Sequence, residues 1–559
     1  MNKKTKVLIS SICVGVMAIS CFVGCVKDGG GIDETKTQLY VNNYNRGFGD
    51  EWLYKAAERF EALHAEDFYE EGKKGVEIIV DPNGSSGNAL LDKIESSRGD
   101  VFFSEHVYIH EFVNRGLVAD VTKEVTSVLS QYGENRSIED KMTAEQKSYY
   151  KINGKYYGVP HYANYMGIIC DVDFFDENDL WFKAKSATDG TTDGFISTAA
   201  GETVKSAGPD GQLDTYDDGF PATYDEFFQL CDKIAEGIGQ PIIWAGFSQE
   251  DYLQTLMTAM QAEFEGLEQM SLNYNFNGTA THLVDSIAAD GTITYKAPTE
   301  IKNSNGYEVT GQAGKYYATK FIKTILQNEN YYNVNHTALT YYHTDAQHDF
   351  LTSVNKQKRI GMLLDGAWWM NEADGEFKDM AANNPEMSKM NRRFCIMPYP
   401  KATEEQVGQK QTLLDTHQAL GFVSAFVPDY KMQLAKDFLQ FCSTDESLSE
   451  YTVVTNSMKA LNYTLSKEDE QKLSYYGKSM FDLKAASDVV YPYSNNPMYL
   501  NFQSSFAKNL FVSQQSESAT PQNRPIEALL KKSTSAETFF YGYRTYYNSI
   551  WNTYRAYFE

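Results

Sequence analysis

Residues 151–175 read KINGKYYGVPHYANYMGIICDVDFF, and this stretch limits the folds open to the chain more than any other. Asn153-Gly154 is the dipeptide that a two-residue primed turn prefers, because both central residues take positive φ; residues 151–157 are therefore expected to form a short hairpin. Pro160 then fixes its own φ, gives up its N–H and forces Val159 into an extended conformation. Residues 166–172 follow as an apolar run of strand length, ending at Asp171, Asp173 and the pair Phe174-Phe175. A tight turn, a proline break and a fresh strand describe a chain leaving one lobe and entering another.

The residues before this stretch alternate between strand and helix patterns. Residues 38–41 (QLYV), 76–80 (VEIIV) and 100–103 (DVFF) have strand composition. Between the first two, Trp52, Leu53, Ala56, Ala57, Phe60 and Leu63 recur at helical spacing and give one apolar face. The loop 82–87 (PNGSSG) leads into a helix over 88–96, and another helix is expected around 110–115. Such alternation implies a parallel sheet covered by helices, with ligands beyond the carboxyl ends of the strands.

Several segments carry a resemblance to one family. Gly154-Lys155-Tyr156-Tyr157-Gly158-Val159-Pro160 and the turn 115–122 (RGLVADVT) resemble the extracellular solute-binding proteins that feed carbohydrate ABC importers. So do 223–227 (TYDEF), 359–371 (RIGMLLDGAWWMN) and the helix 436–443 (KDFLQFCS). The resemblance implies an α/β fold of two lobes, periplasmic-binding-protein-like of type II, with three hinge crossings and ligand held in the cleft. The implied division is an amino-terminal lobe over 38–163, a second lobe over 164–414, a return to the first over 415–452, and a second-lobe and helical extension over 453–559. By position, Asn45, Arg46 and Phe48 in the first loop, Glu105 and His106 after the third strand, and Tyr162 at the crossing are expected to face ligand, as is Trp244 at a second-lobe strand end. The resemblance makes Asp365, Trp368 and Trp369 the strongest candidates, since the family's Trp here stacks on a sugar ring; neighbours on a helix point about 100° apart, so one indole is expected in the core. Asn495, in the aromatic and amide cluster 491–496, is a further candidate. A peptide-binding member of the same transporter class stands as the alternative.

The amino terminus carries an export signal. Lys3, Lys4 and Lys6 precede an apolar run over 7–23, too short to span a bilayer comfortably. It ends at Phe22-Val23-Gly24-Cys25, which resembles a bacterial lipobox with Phe where Leu is usual. Residues 1–25 are thus expected to be a lipoprotein signal with Cys25 as the lipid attachment point, a cut before Cys21 remaining open; 26–37 is a flexible tether. The expected protein is monomeric, extracytoplasmic and bound to the bacterial cell membrane by its lipid, with a carbohydrate and an ABC permease as partners. With 50 Lys and Arg against 75 Asp and Glu, the net charge of −25 repels phosphate backbones, so nucleic acid is not an expected partner.

Cys170, Cys231, Cys395 and Cys442 lie far apart without CxxC spacing, which argues against zinc or iron–sulfur ligation. No cofactor is required. One structural cation is conceivable: in 208–219 (GPDGQLDTYDDG), Asp210, Asp214, Asp217 and Asp218 supply hard oxygen donors along a glycine-turned loop, as calcium needs. The spacing is not that of an EF-hand, and an acidic solvated insertion gives the same sequence. For catalysis, His110-Glu111 is followed by Asn114 where a zincin needs His, and neither a G-x-S-x-G elbow nor a P-loop is present. The expectation is a non-enzyme. A surface glycoside hydrolase, whose paired carboxylates are spatial rather than sequential, is the competing class.

Overall fold

The computed structural model describes residues 31–45, 47–415, 418–503 and 525–556. The leader, Cys25 and Arg46 lie outside these residues. Two sheets organise the chain. In the first, the strands run Val76–Asp81, Thr37–Asn43, Val101–Ser104, Leu420–Val423 and Val159–Pro160 in spatial order. The first three are parallel; Leu420–Val423 enters antiparallel, with Leu420 opposite Ser104 and Val423 opposite Val101. The second sheet runs Gly239–Trp244, Arg359–Gly366, Met166–Asp171 and Phe394–Met397, the first two parallel and Met166–Asp171 antiparallel to both neighbours. Two lobes result, each an α/β layer with its own sheet.

The helix Glu51–Leu63 buries Trp52, Leu53, Ala56, Ala57 and Phe60 against the first sheet, as the helical spacing requires. Leu63, on the same stripe, is exposed because the helix ends there. In the hairpin, Lys151 pairs with Tyr156, and Asn153 (φ +50°) with Gly154 (φ +82°) forms the primed turn. Gly154→Ala meets no steric neighbour, so its expected cost of about 1 kcal/mol isolates the price of a left-handed backbone at a residue with a side chain. Denaturant titration of the variant against the parent checks this.

The chain passes between the lobes beside itself. His161 N–H donates to Ala419 O (2.9 Å), Ala163 N–H to Met458 O (2.9 Å) and Ala460 N–H to His161 O (3.0 Å), so residues 159–166, 418–420 and 456–462 lie against one another. Lys459 anchors this point: its ammonium lies 2.7 Å from His161 Nδ1 and over the rings of Trp52 (4.2 Å) and Tyr451 (4.3 Å). Past the crossing, Asp171 closes the second sheet. Its buried carboxylate accepts from Arg359 and Arg392, both at 2.7 Å, and from Phe174 N–H. The carboxylate therefore ties three chain segments together and is fully compensated, as a buried charge must be.

Two segments carry small strand pairs of their own. One carries the paired strands Phe182–Ala184 and Thr192–Phe195; the other carries the pairs Gly278–Ala280 with Thr299–Ile301 and Val284–Ile287 with Ile293–Tyr295. The last helix, Ala536–Arg555, buries Phe539, Phe540, Tyr543, Tyr547 and Trp551. Trp551 packs over Gly306 and donates its indole N–H to Asn303 O at 2.7 Å, which docks the helix just after the second of these segments. Among the described residues, no helix is long and apolar enough to cross a membrane.

Candidate functional site

The ends of strands from both lobes converge where the loop after Thr37–Asn43 meets the short helix Trp369–Glu372. Gly47 (φ +84°) marks the contact: a Cβ there would lie 3.0 Å from Glu372 Cβ, so glycine permits the two lobes to approach this closely. Next to it, the buried Phe48 ring sits 4.7 Å from Tyr162. Tyr162 donates its hydroxyl to Glu105 Oε2 at 2.8 Å, and the other Glu105 oxygen lies 3.4 Å from His106 Nε2. Glu105 and His106 follow directly on Val101–Ser104, the place where an α/β sheet presents groups to ligand. His106 takes φ +52°, which turns the chain sharply at this strand end.

The second lobe answers with aromatic rings and acids. Trp368 folds over Gly366, where a Cβ would lie 2.1 Å from the indole, and its N–H donates to the Tyr252 hydroxyl at 3.4 Å. Tyr252 stacks on His343, with ring centroids 5.5 Å apart and planes 12° from parallel. His343 Nε2 lies 3.1 Å from Glu372 Oε1. Gln347 places its amide between two carboxylates, donating to Asp365 at 2.9 Å and to Glu372 at 2.7 Å. Burial, and after it the charge of Glu372, pushes the Asp365 carboxyl up to about 7, against the pull of the Gln347 and Gly366 donors.

That shift has a measurable sign. A carboxyl whose folded pKa is raised contributes stability that is complete below its unfolded pKa of about 4 and is lost as pH rises through about 7. The stability of the parent relative to Asp365→Asn is therefore expected to fall steadily from pH 4 to pH 7. Urea midpoints of both proteins across that range check it; a difference that stays flat or grows contradicts the assignment.

The structure brings Phe48, Glu105, His106 and Tyr162 together on one side of the lobe boundary, and Asp365 and Trp368 on the other. Four other candidates make contacts of their own. Asn45 braces its own loop, accepting from Gly49 N–H (2.8 Å) and donating to Asp50 (3.1 Å). Trp244 is fully buried, edge-on to Phe247 and packed over Gly246, because the parallel strand it ends is covered on both faces. Trp369 is fully buried among Phe350, Phe394 and Tyr476. Asn495 is exposed elsewhere, donating to Ser148 O and lining a separate recess with Asn275, Lys302 and Arg555. Arg46 cannot be placed, lying outside the described residues.

The four aspartates of the glycine-turned loop 208–219 bond within the loop. No group of three or more His, Cys, Asp or Glu able to hold a metal occurs among the described residues. The loop's carboxylates are spent on the loop itself: Asp217 accepts from Asp210 N–H and the Thr215 hydroxyl, and Asp218 from Asp214 N–H and Thr215 N–H. Burial, then the charge of Asp210, raises the Asp217 carboxyl to about 7, against the pull of the Thr215 hydroxyl.

Sequence reading missed Tyr252, His343, Gln347 and Glu372. One signal was available. Glu372 lies one helical turn beyond Trp368, and Gln347 one turn beyond His343 on the helix His343–Thr352, so each pair shares a face.

Comparison with known proteins agrees with this architecture. The family of bacterial extracellular solute-binding proteins matches residues 56–462. No curated protein matches the sequence. Among solved structures, ligand-free RafE from Streptococcus pneumoniae superposes with a TM-score of 0.51 at 16% identity, over 93% of this chain and 100% of its own. The cyclic alpha-maltosyl-1,6-maltose binding protein from Arthrobacter globiformis gives 0.50 at 13% identity, over 93% of this chain and 100% of its own. At these identities the likeness establishes the two-lobe fold.

Proposed function

For a chain that belongs to the bacterial extracellular solute-binding protein family, we propose a specific cargo: it captures a sugar or oligosaccharide between its lobes and hands it to the permease of an ABC importer. The observation carrying this reading is the pairing of ring faces with buried acceptors at the lobe boundary, Trp368, Tyr252 and His343 beside Asp365 and Glu372. A pyranose ring offers C–H faces to an aromatic plane and hydroxyls at its rim; carboxyl side chains hydrogen-bond those hydroxyls, and Asp365, raised to about 7, can donate as well as accept. Gly47, next to Phe48, meets Glu372 of this group from the first lobe, so closure encloses the ligand and the ligand in turn shifts the population toward the closed form. The names of the two solved structures point the same way, RafE having also been solved with raffinose. No chemistry is assigned to the acids beyond binding. Cys25, diacylated, holds the protein at the outer face of the cell membrane as a monomer beside its permease.

Thermal unfolding against a panel of oligosaccharides and peptides tests the cargo. A ligand that binds only the folded state, present at about 100 times its Kd, adds roughly 2.7 kcal/mol and raises the melting temperature visibly. The expected result is a shift with one class of glycan and none with peptides. A shift with peptides alone, or consumption of the added glycan, rejects the reading.

A further inference from the structure

Cys170 and Cys395 face each other directly across the second sheet. Met166–Asp171 and Phe394–Met397 pair antiparallel with Cys395 opposite Cys170, both side chains are buried, and their Sγ atoms approach to 2.7 Å. Residues directly opposite in an antiparallel pair have Cα atoms about 4.5–5.5 Å apart, inside the roughly 4.4–6.8 Å span of disulfides. The two sulfurs at 2.7 Å are thus close enough for a bond of about 2.05 Å to form by a small side-chain adjustment. We propose that Cys170 and Cys395 form a cross-strand disulfide in the exported protein, stapling a central strand of the second lobe to its edge strand. Cys231 and Cys442 stay as thiols.

Burial pushes the Cys170 thiol up, which leaves Cys395 as the side an oxidant reaches. It lines a 320 Å³ cavity together with Trp181, Lys205, Tyr216, Phe220 and Tyr475, and the Lys205 ammonium lies 3.4 Å above the Trp181 ring, placing a positive charge at the cavity wall. A cavity of this size admits a small disulfide. The step is thiol–disulfide exchange with an external disulfide as oxidant: one cysteine thiolate attacks a sulfur of the oxidant and expels the first thiolate. The second cysteine then attacks the mixed disulfide and expels the other. Two protons and two electrons leave the cysteines, one S–S bond forms, and the oxidant departs as two thiols. Persistence of the bond rests on the extracytoplasmic location proposed above, where no thiol pool reduces it. The stapled sheet also carries Asp171, one residue beyond Cys170, so the bond fixes the strand that leads out of the first crossing and lets the second lobe move as one body.

Peptide mapping tests the geometry apart from the compartment. The purified full chain is unfolded, refolded with glutathione disulfide, alkylated and digested. The expected product is one linked peptide pair joining Cys170 to Cys395, lighter than the two free peptides by two hydrogen atoms, split by reductant and absent from Cys395→Ala, with Cys231 and Cys442 alkylated. Recovery of Cys170 and Cys395 both alkylated, or linked to other cysteines, overturns the proposal. Mapping the chain recovered from the bacterial surface then reads the compartment: linked peptides support both readings. Free thiols there, with the bond forming on refolding, overturn its presence in the exported protein and leave the sugar-binding assignment standing.

Discussion

Trp368→Ala is expected to weaken glycan binding by roughly 30-fold or more, the effect of losing about 2 kcal/mol or more at a hot-spot tryptophan. The indole is 5% exposed, folded over Gly366 and tied to Tyr252 by its N–H, so it has a single orientation before ligand arrives. Preorganisation of this kind removes the cost of ordering a large side chain on binding, and truncation forfeits both the contact and that saving. The loss also perturbs Tyr252, which leans on Trp368 and stacks on His343. Titration calorimetry at a temperature well below the melting point of the variant gives the affinity without interference from unfolding. Trp368→Phe keeps a ring plane but not the N–H, and is expected to fall between parent and alanine variant.

Trp369→Ala, one residue away, is expected to act on stability: about 3–5 kcal/mol, the usual cost of emptying a buried aromatic site. Its indole is fully buried, with Phe394 at 5.1 Å and Tyr476 at 5.6 Å edge-on to it. Those rings come from the edge strand of the second sheet and from the helix Tyr475–Ala486, so the indole joins elements far apart in sequence. None can collapse into the void without moving the sheet. Chemical denaturation followed by fluorescence measures the loss. Glycan affinity of the folded variant is expected to stay within a few-fold of the parent, since the residue faces away from the lobe boundary. The two alanine variants thus separate a binding tryptophan from a structural neighbour.

That separation shows where sequence reasoning reaches and where it stops. Period and punctuation were legible: the Asn153-Gly154 turn, the Pro160 break and the strand after it appear in the structure as read. So was the apolar stripe of the first helix up to Phe60. These features depend on local φ preferences and on the spacing of apolar residues, which a linear string records. The identity of the ring at the lobe boundary does not. Trp368 and Trp369 have the same composition context and both are buried; the helix phase, with Gly366 letting the first indole fold back, sends one toward Tyr252 and the other among Phe350, Phe394 and Tyr476. Trp244 misled for a related reason: position at a strand end implies access, yet the neighbouring turn at Gly246 folds under the ring and buries it. The bonding of the acidic loop was equally out of reach, since carboxylates on a string carry no sign of what they bond, and here backbone N–H groups donate to them. Tyr252, His343 and Gln347 were hidden for want of a partner in sequence; their roles exist only once distant segments meet.

The central claim is that glycan lies between the lobes on Trp368, with Asp365 and Glu372 at its rim. A crystal structure of the protein with the glycan that raises its melting temperature measures this directly. A sugar ring is expected against the Trp368 indole, with its hydroxyls hydrogen-bonded to the Asp365 and Glu372 side chains and Phe48 or Tyr162 closing over it from the first lobe. Sugar bound elsewhere, with Trp368 and Asp365 untouched, would contradict it.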